Sequence, residues 1–187
     1  MEQTQMNGQR LWNALRVVGW GFAAVILLLP LVAMQFTSEV NWGFGDFVVM
    51  GALLGGSGLV LELAIQKSAS LSYRFGATFA VAAAFLLVWV NLAVGFLTDE
   101  GNPANLMFLG VIAIAIFGAI VARARAAGMS NAMLIAAGAQ VLAGATGLAT
   151  GWASPGSEGI YEVVLGTGLF TSMWLLSAWL FRKAAAD

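Results

Sequence analysis

Residues 105–125 read NLMFLGVIAIAIFGAIVARAR. From Leu106 to Ala122 there is no charge, and then Arg123 and Arg125 close the run. An α-helix rises 1.5 Å per residue, so about 20 apolar residues cross a hydrocarbon core about 30 Å thick. This stretch is therefore a membrane span with a basic end. Working outward, five more such runs lie near 11–36, 44–66, 74–98, 129–152 and 162–181, beside the quoted one at 105–124. The fold class is all-α: a polytopic membrane protein of six transmembrane helices. The single transmembrane domain occupies 1–187, with no room left for a soluble one.

The charges orient the spans. Arg10 and Arg16 lie at the start of the first, and Lys67 and Arg74 flank the second link. Arg123 and Arg125 lie in the fourth link, and Arg182 and Lys183 follow the sixth span. The alternate links hold no Lys or Arg, only Glu39, Asp46, Asp99, Glu100, Glu158 and Glu162. Positive charge resists translocation, so the basic side is expected to be cytoplasmic, with both termini inside. The spans then pair as three parallel helical hairpins, 11–66, 74–124 and 129–181. The first ten residues are polar and the following run is too long for a signal h-region, so it reads as an uncleaved anchor. The expected location is a bacterial inner membrane, crossed many times.

The hairpins show faint internal similarity. At an offset of 56, Leu92-Ala93-Val94-Gly95-Phe96 lies over Leu148-Ala149-Thr150-Gly151-Trp152, and Leu109-Gly110 over Leu165-Gly166. At 59, Asp46-x4-Gly51 lies over Asn105-x4-Gly110. Duplication of a hairpin and convergent Ala/Gly/Leu composition both account for this. Pro30 is the only proline inside a span, and a kink is expected there.

Composition excludes several chemistries. Of 187 residues 60% are hydrophobic and 9% charged, and there is no Cys and no His. Disulfides, Fe–S clusters, thiolate nucleophiles and zinc–thiolate sites are excluded, as are His-ligated haem and His-bearing triads. Lys67 and Lys183 sit at span ends, away from where a retinal-type Schiff base would form. No cofactor, no bound metal and no nucleic-acid partner is expected. The external acids lack calcium-loop spacing.

Inside the spans, Gly51, Gly55, Gly58 and Glu62 are spaced 4, 3 and 4 and share one helical face. Small residues in line allow close helix packing, which would also turn Glu62 into the protein. A charge in hydrocarbon calls for a partner or water, and Arg16 lies at a similar depth, with Arg74 the second candidate. An ion pair and an ion or proton site both remain open for Glu62. Asn91, on a face with Ala84, Val88 and Gly95, and Gln140, on a face with Gly144, Gly147 and Gly151, either bond across helices or line a polar path. Trp12, Trp42 and Trp152 fall near span ends, where indole rings favour the interface, and Trp89 and Trp174 fall deeper.

The stretch Asn102-Pro103-Ala104-Asn105-Leu106-Met107-Phe108, running on to Ala122-Arg123, resembles a group of small uncharacterised bacterial inner-membrane proteins. Gly45-Asp46-Phe47 through Gly58 to Glu62 is similar too. The resemblance implies a helical inner-membrane protein and carries no function, ligand or site residue. Two functions compete. One is a non-enzymatic scaffold or accessory subunit, packed against lipid and either a second copy or a partner membrane subunit. The alternative is a permeation protein for a small solute or ion, working as an oligomer.

Overall fold

A computed structural model describes residues 2–98 and 101–187, with side chains from Arg16 onward. Asp99 and Glu100, and the side chains of Arg10 and Trp12, lie outside the described residues. Six α-helices follow in order: α1 Glu2–Ala33, α2 Phe44–Lys67, α3 Leu71–Ala93, α4 Leu106–Ala122, α5 Ala126–Ala149 and α6 Ser157–Ala184. A 3-10 turn, Pro103–Asn105, precedes α4. All six contain a segment long and apolar enough to cross a membrane, and no strand occurs among the described residues.

The helix ends differ from the apolar runs by a few residues, for local reasons. Ser70 accepts a hydrogen bond from Tyr73 N (3.5 Å) and starts α3 at Leu71, ahead of the apolar run. Gly95 takes a left-handed conformation (φ 75°), and its N–H bonds to Val90 O, so α3 stops well short of residue 98. Gly151 (φ 70°) ends α5 in the same way. At the start of α2, the Asp46 carboxylate accepts from Gly43 N at 2.8 Å, closing the first turn from its third position. Pro30 sits in the last turn of α1, and Met34 N donates to its carbonyl at 2.9 Å.

By contact the chain divides within α2 into Met1–Val60 and Leu61–Asp187. In the first unit the Trp20 ring lies against Gly58, and Leu27 approaches Gly51 at 3.8 Å from where a Cβ would stand. Trp42 and Phe47 make an edge-on ring pair at 5.3 Å. Met50 is the only buried residue of this unit among the described side chains.

The second unit has a continuous core. The most extensive helix contact is α5 with α6, followed by α3 with α6 and α4 with α5; α3 and α4, though consecutive, touch lightly. Leu87, Phe108, Val111, Met133, Val163, Trp174 and Phe181 are fully enclosed. Lipid is as apolar as these side chains, so such burial gains little from transfer, and shape and hydrogen bonds decide the packing. Small residues set the spacing: Gly118 faces Ala132 Cα at 3.2 Å and Gly128 faces Ala122 Cα at 3.1 Å, each measured from an added Cβ.

Candidate functional site

The apolar interior of the second unit encloses several polar side chains. Gln140, midway along α5, is completely buried, and neither its Oε1 nor its Nε2 has a hydrogen-bond partner. Gly144, one turn further along α5, packs on the Thr167 side chain of α6. Consecutive helices joined by a short link run antiparallel, so this contact brings Thr171 to the level of Gln140 and Trp174 about one turn beyond. The hydroxyls of Thr167 and Thr171 and the Trp174 indole Nε1 are buried and likewise without partners. Asn91 on α3 donates to Leu87 O at 2.7 Å and leaves its Oδ1 unpartnered.

Both ends of this interior are closed. At one end the α3–α4 link folds inward. The Asn105 Oδ1 accepts from Phe96 N and Leu97 N, each at 3.0 Å, and holds both residues in the core. Phe96 stacks on Phe108 (3.9 Å between centroids) and packs on Gly166, while Leu97 fills the notch at Gly147. Leu97 O accepts from Ser154 N at 3.0 Å, which joins two links. At the other end Tyr73 meets Phe181 edge-on at 5.0 Å and donates to Ala124 O at 2.9 Å. Ser177 Oγ donates to Gly76 O at 2.7 Å between these closures.

The cluster is neutral. A primary amide offers two donors and an acceptor, each hydroxyl one donor and two lone pairs, and the indole one donor. None of these groups ionises near neutral pH, so the arrangement offers hydrogen-bond donors and acceptors and no acid, base or counter-ion. A buried polar group left without a partner costs about 1–3 kcal/mol.

Glu62 is half-buried in the second unit and Arg16 is exposed on α1 in the first. Arg74 donates to the α2 end through Nε to Ser68 O (2.9 Å) and Nη2 to Ile65 O (3.3 Å), a favourable place for a cation at a helix C-terminus. Gly55 has no heavy atom within 4 Å of an added Cβ. Gly144 and Gly147 are packing contacts, whereas Gly151 lies beyond α5 with nothing within 4 Å. Gly95 also lies outside its helix, so the face through Ala84, Val88 and Asn91 ends at Ala93. Glu39, Glu158 and Glu162 are exposed. Among the described residues no three Asp or Glu groups come together as a metal site would need.

The sequence reading missed Thr167, Thr171 and Ser177 and named Trp174 only for its depth, although the four are spaced 4, 3 and 3 on one face of α6. It also missed Asn105, whose only local signal is an Asn in a Pro-containing turn before an apolar run. Comparison with known proteins adds no relative: no family model, no curated protein and no solved structure matches the chain.

Proposed function

We propose that this chain is a non-catalytic, multi-pass protein of a bacterial inner membrane that serves as a scaffold or accessory subunit of a membrane assembly. In this reading its spans form three parallel hairpins with both termini cytoplasmic, in keeping with the sidedness of Lys and Arg. The supporting observation is the thin burial of the first unit, in which α1 and the adjoining part of α2 enclose only Met50 among the described side chains. Helices associate in lipid through close packing of small residues, and Gly55, which has no heavy atom within 4 Å of an added Cβ, leaves room for a second copy or a partner subunit. Purification in mild detergent should retain a partner chain or a homo-oligomer. Gly55→Leu should release it without lowering the melting temperature of the isolated chain. A monodisperse monomer without partners, in detergent and in nanodiscs alike, would sink the reading.

A second reading has its own support. The neutral cluster at Gln140, Thr167, Thr171 and Trp174 has unused hydrogen-bonding groups for a small uncharged solute, whose passage would require the Phe96–Leu97 and Tyr73–Phe181 closures to open. Proteoliposomes should then pass glycerol faster than empty vesicles, and Gln140→Leu should abolish the difference while the protein still folds. Equal swelling with wild-type protein and without it removes this reading.

A further inference from the structure

A groove runs between α4 and α5 on the outside of the second unit, with a volume of about 830 Å³. Its floor is the Gly118–Ala132 and Gly128–Ala122 contact, where no large side chain can stand. Its walls are Ile114, Phe117 and Val121 from α4 and Ile135 from α5, all exposed. The polar members of the lining, Arg125 and Asn131, both lie toward the α4–α5 link and are both exposed. In that link Arg123 (φ 49°) and Ala124 (φ 55°) take left-handed conformations, and the Tyr73 hydroxyl holds Ala124 O at 2.9 Å. This tight, pinned reversal leaves both arginine side chains exposed at one end of the groove.

The dimensions match one lipid leaflet. The α4 wall runs from Ala113 to Ala122, about 14 Å at 1.5 Å per residue. Half of a hydrocarbon core about 30 Å thick is about 15 Å. An acyl chain lying along the apolar walls would therefore bring its head group to Arg125 and Asn131. A guanidinium binds phosphate oxygens in pairs, and the side-chain amide can add a donor. The charge pattern also discriminates between head groups. Arg123 and Arg125 lie two residues apart with no acidic residue between Asp99-Glu100 and Glu158 in the chain. A zwitterionic head group would place its ammonium beside two cations, whereas an anionic one would not.

We propose that the α4–α5 groove is a binding site for an anionic phospholipid of the leaflet that the α4–α5 link faces. One acyl chain occupies the groove, and the head-group phosphate meets Arg125, with Arg123 adding charge. This goes beyond the general contact of any span with lipid, because it assigns a head-group preference to one link among the basic ones.

Native mass spectrometry of the purified protein tests it, with phosphatidylglycerol and phosphatidylcholine of identical chains added in turn. The wild-type protein should retain phosphatidylglycerol about 10-fold better, a difference of about 1.4 kcal/mol. Arg125→Gln should bring the two lipids level, and Arg125→Lys, which keeps the charge, should retain most of the preference. Arg182→Gln, at a different basic end, should leave the preference as in wild type. No preference in the wild-type protein overturns the proposal. So does an equal loss in Arg125→Gln and Arg182→Gln, which would mean general surface charge. Protection by inorganic phosphate alone would also overturn it, since the apolar groove would then be idle.

Discussion

The two units of this chain use the same small residues under different conditions. In Leu61–Asp187 each glycine on a packing seam has something opposite it: Gly118 has Ala132, Gly128 has Ala122, Gly144 has Thr167 and Gly147 has Leu97. In Met1–Val60, Gly58 receives the Trp20 ring, Gly51 has one distant methyl of Leu27, and Gly55 has nothing within 4 Å. Gly-x-x-x-Gly spacing therefore states an opportunity for close approach, and only the neighbour decides whether it is used. The second unit adds hydrogen bonds to its fit, through Asn105, Ser177 and Tyr73. In the first, the Asp46–Gly43 closure at the start of α2 is a local one.

Substitutions should separate the two units by size of effect. Asn105→Ala should be the most damaging. It orphans two buried backbone donors at about 1–3 kcal/mol each and releases Phe96 and Leu97 from the core. Thermal melting in detergent should fall steeply, by more than for Gly118→Leu, Tyr73→Phe or Gly55→Leu. A melt within a degree or two of wild type would show that the folded-in link contributes no stability.

Gly118→Leu comes next. The obstacle is the Ala132 Cα, which is backbone and cannot rotate away, so overpacking of about 1–3 kcal/mol is expected. Stability equal to wild type would mean that α4 and α5 separate freely, and the contrast would lose its best example. Tyr73→Phe should be milder. It removes the hydroxyl bond to Ala124 O and keeps the ring against Phe181, for a loss of about 1 kcal/mol. Fast hydrogen exchange at the α4–α5 link in this variant would sharpen the picture by tying the pinned reversal to one hydroxyl. Gly55→Leu should be the smallest, within about 0.5 kcal/mol for the isolated chain. A large loss there would contradict the open surroundings of Gly55.

Much of the architecture is readable from composition, for a simple physical reason. A backbone crossing lipid must satisfy its own hydrogen bonds, so long apolar runs mean helices. The six runs are six helices on that ground alone. Their ends are less readable, because helix limits follow capping chemistry and not polarity. Ser70 starts a helix outside the apolar run, and Gly95 and Gly151 stop one inside it. Asp46, a rim charge by its place in the sequence, is also a capping group. The candidate site is half readable. Gln140 and Asn91 stand out as polar residues in apolar runs, and both are buried. Threonine and tryptophan are common in spans for other reasons, so the one-face spacing of Thr167, Thr171 and Trp174 does not mark them as a site until the α5–α6 register sets them against Gln140. Neighbours far apart in sequence, such as Ser177 with Gly76, cannot be read from spacing at all.

The inward fold of the α3–α4 link also constrains the order in which the chain can be made. Phe96 and Leu97 find their seats on Gly166 and Gly147, residues that leave the ribosome later than the link itself. At roughly 5–20 residues per second, the 70 positions from Phe96 to Gly166 take about 4–14 s to synthesise. Throughout that interval two large apolar side chains and the amides that Asn105 will later help to shelter have no final place. The link must wait for α5 and α6 to be inserted, so maturation of this protein ends at its middle rather than at its last helix.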